Sequence, residues 1–291
     1  MNGFVDMSEY KHIQLLKQSG VAHVILDRPE KRNALGFGPG SSRDDIARAL
    51  READADSNIG AIVLRAHGPV FCAGGDLSGL PPGEGPLQDE LLISMVDEFH
   101  TTVRQTRKPL IAAVNGPCLG AGMGLIAQCD FVLAGSDARF GLPEGRFGHP
   151  GGSELVPMIG SSWAKFLILT GELIDAATAV DIGLALVELP AASLQEACLA
   201  LAERMARLPI EAQCANKQAI NRAAEAGGRA AGRLAGRAAD LATKSLSRLA
   251  RAPDGRLFDD ILKTDGPHGL KQAQKQQFSD SWMDKYVSHC A

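Results

Sequence analysis

Between Pro109 and Cys129 the chain runs for 21 residues without a charged side chain. That length alone would cross a membrane. Pro109, Pro117, Gly116, Gly120, Gly122 and Gly124 interrupt the run, however, and Asn115 stands near its centre. A continuous apolar helix does not accommodate such punctuation. The segment reads instead as a buried strand over Leu110–Val114, a tight turn, and a buried helix from Ala121 to Cys129. A strand with no polar face must be covered on both sides, so the chain has to build layers around it.

The flanking sequence supplies material for those layers. Val21–Leu26, Ile59–Leu64 and Phe131–Ala134 read as further short strands. Ser41 or Ser42 is placed to cap a helix with Ile46, Ala49 and Leu50 on its apolar face, and Leu87–Arg107 is helical by pattern. Strands alternating with helices indicate an α/β class. The stretch from Ser78 to Pro86, with three Pro and three Gly, is expected to be a mobile surface loop. From about Ser153 the strand alternation stops and Ala-rich helical segments run to about Arg251. The expected organisation is an α/β core over 1–200 and a helical region over 201–291.

Composition narrows the function classes. A net charge of −4 with 22% charged residues disfavours a nucleic-acid binder. Six cysteines without a CxxC pair form neither a disulfide framework nor a metal motif. The first residues, with Asp6 and Glu9, resemble neither a signal nor a transit peptide, so a cytoplasmic setting without membrane attachment is expected.

Three segments in order carry a family likeness: Arg28-Pro29-Glu30-Lys31-Arg32-Asn33-Ala34-Leu35, then Phe71-Cys72-Ala73-Gly74-Gly75-Asp76-Leu77, then Lys108 to Gly122 continuing to Phe140-Gly141-Leu142-Pro143-Glu144. Together they strongly resemble the crotonase superfamily, the enoyl-CoA hydratase/isomerase family, over roughly residues 10–280. The resemblance implies a crotonase-like ββα spiral with a helical C-terminal region that builds homotrimers or homohexamers. It implies an acyl-CoA thioester substrate from fatty acid metabolism, and no metal or cofactor apart from the coenzyme A carried by that substrate.

The residues make chemical sense in that light. Ala73-Gly74-Gly75 is nearly free of side chains, so its backbone can approach a ligand closely. Leu119-Gly120-Ala121-Gly122 turns from strand into helix, where the first N–H groups lack internal partners. The resemblance makes the N–H groups of Ala73 and Ala121 an oxyanion hole for a thioester carbonyl. The family usually has Gly where Ala121 stands. Lys31, Arg32, Ala34, Ala73, Gly74, Gly75, Asp76, Leu77 and Gly120 fall where the family holds CoA, with Asp76 also suited to capping a helix.

Two departures stand out. Hydratases of the family use two glutamates, but only Glu144 is present; Gly124 takes the place of the other. A single Glu144 suffices to carry a proton between carbons of an enoyl thioester, whereas hydration is easier with two groups. The segment after Glu144 also looks shortened, which brings His149 and Glu154 forward as a possible second acid/base, against plainer roles in a turn and a first helical turn. A thioester or carbon–carbon hydrolase and a non-catalytic CoA-binding relative remain open. Arg229, Arg233 and Arg237, four apart, read as a solvated helix face, His67 as the end of a strand, and Cys72 as a core residue without activation.

Overall fold

A computed structural model describes residues 10–79, 85–274 and 278–287. The chain opens with a hairpin of β1 (Ile13–Gln18) and β2 (Val21–Leu26), then α1 (Ser42–Ala55), β3 (Ala61–Ala66) and α2 (Pro86–Gln105). Next come β4 (Leu110–Val114), β5 (Pro117–Leu119), α3 (Ala121–Ile126), β6 (Phe131–Gly135) and β7 (Arg139–Gly141). After these follow α4 (Val156–Thr170), β8 (Leu173–Asp175), α5 (Ala176–Asp181) and β9 (Val187–Leu189). The later elements are helices: α6 (Leu194–Ala206), α7 (Ile210–Ala224), α8 (Ala230–Ser247), α9 (Phe258–Gln274) and α10 (Trp282–Tyr286).

The main sheet has the order β1-β2-β3-β4-β6-β9, and a smaller one the order β5-β7-β8. The β1–β2 and β7–β8 pairs are antiparallel and the others parallel. The uncharged run now has its explanation. All five residues of β4 are buried. Leu110, Ala112 and Val114 join the larger core, while Ile111 and Ala113 face the opposite way, onto Leu194, Cys198 and Ala202 of α6. A strand covered on both faces reads as continuously apolar.

The strand and helix assignments before residue 135 agree with the structure to within two or three residues; β1 is not among them, and the stretch expected as a tight turn between β4 and α3 contains the three-residue strand β5. The third strand starts at Ala61 rather than Ile59, and Ser41 is the residue that caps α1, accepting from the Asp44 N–H. Strands do not stop at Ser153, however: β8 and β9 each add three residues to a sheet. The loop expected over Ser78–Pro86 falls largely on residues 80–84, outside the described residues; the flanking Leu77–Gly79 forms a short 3-10 turn.

The arginine row of the C-terminal region is not a solvated face. Helix α8 packs along α2. Arg229 donates to the Ala127 carbonyl, Arg233 holds Glu225, and Arg237 pairs with Glu90. Farther along, Arg248 meets the buried Asp89 carboxylate at 2.6 Å. Among the described residues, no helix is long and apolar enough to cross a membrane.

The turn between β4 and β5 is tightly enclosed. Gly116 has φ +59, and a methyl group on it would lie 2.1 Å from the Pro69 carbonyl oxygen. Gly116→Ala therefore combines backbone strain with a clash against fixed backbone, and is expected to cost about 2–4 kcal/mol. Urea unfolding midpoints would read this; a loss within about 0.5 kcal/mol would show that the two loops separate freely.

Candidate active site

The loop after β3 is fixed by backbone pairing on two sides. Cys72 donates to the Pro117 carbonyl and accepts from Leu119 N–H, joining the loop to β5. On the other side the Leu35 N–H donates to Gly74 O at 2.8 Å, and the Asp76 N–H donates to Leu35 O at 2.9 Å. In an extended segment alternate residues point to opposite sides. With 74 and 76 turned to Leu35, the Gly75 N–H is turned away and has no acceptor among the described residues. It lines a cavity of about 370 Å³.

This corrects the expected oxyanion donor. The Ala73 N–H is already given to the Arg32 carbonyl at 3.0 Å. A donor bonded within the fold is not available to a ligand, and the free N–H of this loop belongs to Gly75, two residues on.

The second loop enters from β5. Gly120 adopts φ +52, and its own N–H donates to Gly141 O at 2.9 Å. Ala121 begins α3, so its N–H has no partner within the helix. It too lines the cavity. The two loops touch: a methyl group on Gly74 would be 3.9 Å from Ala121 N.

Glu144 lies in the 3-10 turn Pro143–Phe147 after β7. Its carboxyl rests on the Gly120 turn, 3.0 Å from where a Cβ on Gly120 would be. Burial pushes its pKa from 4.5 up to about 8, and the nearby Glu154 carboxylate pushes the same way. Glu154 itself is raised by burial, against hydrogen bonds from Gly152 and Ser153.

Gly124 faces this same space. A methyl group there would lie 2.9 Å from the His100 Nε2 atom and 3.3 Å from Glu154 Oε1. The place of a side chain at 124 is thus taken by His100 from α2 and Glu154 from the turn before α4. Asp240 of α8 lines the cavity as well, pushed up to about 7 by burial and by Glu154. Neither His100 nor Asp240 was singled out from the sequence. Both arrive on long helices, and only the packing of α2 against α8 brings them here.

The enoyl-CoA hydratase/isomerase family model matches residues 16–242. The chain belongs to that family. A probable enoyl-CoA hydratase of Rhizobium meliloti (strain 1021) is 36% identical over 74% of this chain and 83% of its own length. The 2,3-dehydroadipyl-CoA hydratase of Escherichia coli (strain K12) is 35% identical over 72% of this chain and 81% of its own. An enoyl-CoA hydratase/isomerase structure from Xanthobacter autotrophicus Py2 superposes with a TM-score of 0.84 at 29% identity, covering 93% of this chain and 99% of that one. The fold is the crotonase fold, with a helical C-terminal region.

As a member of the enoyl-CoA hydratase/isomerase family, the chain keeps its expected site residues unevenly near the cavity. Ala73, Gly74, Gly75, Leu77, Gly120, Ala121, Glu144, His149 and Glu154 line it. Lys31, Arg32 and Ala34 do not, and Lys31 and Arg32 are exposed on the loop after β2. Asn33 holds that loop, donating to His67 O and Val70 O. Asp76 pairs with Arg28 at 3.2 Å and accepts from the Ser78 N–H, a fastening and capping role.

The other candidates have distinct surroundings. His149 donates its N–H to Glu144 O, and burial, then Lys244, lowers its pKa to about 4, so it is neutral near pH 7. His67 contacts Asp27 at 2.9 Å. Burial pushes the Cys72 thiol up to about 11, away from a nucleophilic thiolate.

The raised Glu144 pKa has a consequence for stability. An unfolded Glu ionises near 4.5, whereas this one stays protonated to about 8. The folded state therefore binds more protons between those values, and its stability falls as pH rises through that window. Glu144→Gln removes the titration, so the variant should gain stability relative to the parent between pH 5 and pH 9. Thermal unfolding across pH measures this. A difference independent of pH would mean the carboxyl is fully solvated.

Proposed function

We propose that this chain binds an enoyl-CoA thioester with its carbonyl oxygen between the N–H groups of Gly75 and Ala121, and that Glu144 moves the proton. The observation that carries this reading is the seat of the Glu144 carboxyl on the Gly120–Ala121 turn. A base there is beside the carbonyl-binding N–H pair, next to the carbons that the carbonyl acidifies. When Glu144 takes a proton from the α or γ carbon, the C–H electron pair moves into a new C=C bond and the carbonyl oxygen becomes an oxyanion. Two fixed donors stabilise that charge without reorganising, and losing one costs about 100- to 1,000-fold in rate. Returning the proton at the other carbon shifts the double bond, an isomerisation needing one carboxyl.

Hydration is the second reading, favoured by Glu154 beside Gly124. A water held by Glu154 would add to the β carbon, passing a proton to that carboxylate, while Glu144 protonates the α carbon. The exposed Lys31 and Arg32 suit the CoA phosphates, with Lys271 of α9 close enough to feel Arg32. Exposed Ile220, Leu234, Leu246 and Leu249 on and after α7 and α8 support a homotrimer or homohexamer. No cofactor beyond the substrate's CoA enters these steps.

Incubation with 2-enoyl- and 3-enoyl-CoA in deuterated water, followed by mass spectrometry, tests both readings. Deuterium should enter at C2 or C4, more rapidly as pH rises toward 8, and Glu144→Gln should lower the rate by at least about 100-fold. If hydration occurs, Glu154→Gln should abolish the added water while leaving carbon exchange in place. Tight acyl-CoA binding with no exchange, unchanged in Glu144→Gln, would replace the enzyme reading with a CoA-binding one.

A further inference from the structure

One guanidinium at the cavity wall has no counter-charge among the described residues. Arg43, the second residue of α1, is only 5% exposed. Its Nη1 donates to Leu35 O at 2.8 Å and Gly36 O at 2.6 Å. The plane stacks 4.4 Å from the Phe37 ring centre, with Phe99 at 5.8 Å. Its Nε is buried without any acceptor. Among the described residues Nη2 has no hydrogen-bond partner either, and no carboxylate forms an ion pair with Arg43.

The other basic groups facing the cavity are answered. Arg233 is held by Glu225, Arg237 by Glu90 and Asp97, and Arg104 approaches Glu225 at 4.0 Å. Lys244 feels Asp259 and Asp89. Burial lowers the Arg43 pKa only to about 10, so the group stays charged at neutral pH. The neighbouring His100 is held neutral by burial and by Arg43 itself. Arg43 also stands in the first turn of a 14-residue helix, where the free N–H groups already favour negative charge. A buried cation without a counter-charge is costly, and an anion that meets it gains correspondingly.

The position relates this charge to the substrate. Phe37, on which Arg43 stacks, has its ring tip 3.7 Å from where a Cβ on Gly75 would be. The Arg43 pocket therefore adjoins the first oxyanion donor, and apolar Leu92, Ile93 and Val96 of α2 line the same cavity. An acyl chain running from the carbonyl past Phe37 toward Arg43 ends at a guanidinium without a counter-charge.

We propose that the acyl group carries a carboxylate at its far end, received by the unspent Nη2 of Arg43, so that the substrate is the mono-CoA thioester of a dicarboxylic acid. This rests on the thioester reading above and specifies its substrate class.

Equilibrium binding of saturated thioesters tests it without relying on turnover. Succinyl-, glutaryl- and adipoyl-CoA are compared by calorimetry with butyryl-, pentanoyl- and hexanoyl-CoA. At one chain length the diacid thioester should bind about 10- to 100-fold more tightly than its neutral counterpart, as a charged hydrogen-bonded pair allows. Arg43→Met should erase the preference, with any loss through the Leu35 and Gly36 carbonyls it holds falling equally on diacid and neutral thioesters, and Arg43→Lys should keep part of it. Equal or weaker binding of the diacids by the parent protein at every length overturns the proposal, even if both variants fail to fold. So does a preference that survives in Arg43→Met. Binding of neutral thioesters without diacid preference leaves the thioester reading intact, whereas no binding of any thioester sinks both.

Discussion

Two backbone N–H groups without partners among the described residues are the feature on which the rest of this site depends. Neither is an accident of a loose loop. Gly75 N–H is free because its neighbours on each side are committed to Leu35, and Ala121 N–H because a helix begins there. Each loop is pinned by pairing with β5 or with the Leu35 segment, so the donors are held in place before a ligand arrives. Fixed donors stabilise developing charge better than mobile water because they do not reorient as the charge forms.

Against that positive edge the fold gathers carboxyl groups instead of a single acid. Glu144, Glu154 and Asp240 share the cavity, and each is raised by burial. Like charges in a confined space cannot all ionise together, so the cluster keeps protons available near neutral pH. Gly124 takes part by omission. The absence of a side chain there makes room for His100 and Glu154, so the glycine that replaces an acid admits one from another element. The helical C-terminal region matters here too, since α8 brings Asp240 to the cavity while Arg237 and Arg248 tie it to α2.

Much of this was legible in the residues. Strand β4 showed itself because burial on both faces leaves no polar position, and the glycine turn at 120 because no other residue suits it. Glu144 stood out through its motif. Other features were hidden for identifiable reasons. Strands β8 and β9 are three residues each, too short for a period to show, and β1 mixes exposed and buried positions at a sheet edge. Which N–H of Ala73-Gly74-Gly75 is free depends on pairing with Leu35 and Arg32, some 40 residues away. Arg43 sits in Ser42-Arg43-Asp44-Asp45, a charge pattern that resembles a solvated helix start, whereas the fold sets it against Phe37 and Phe99.

The central claim is that Gly75 and Ala121 polarise the thioester carbonyl. Infrared difference spectroscopy of a 2-enoyl-CoA labelled with carbon-13 at that carbonyl reads the bond directly, in Glu144→Gln so that the ligand persists. Two hydrogen bonds from fixed donors predict a carbonyl stretch shifted to lower wavenumber than in water. A frequency equal to the aqueous value, or shifted upward as in an apolar site, would contradict the account.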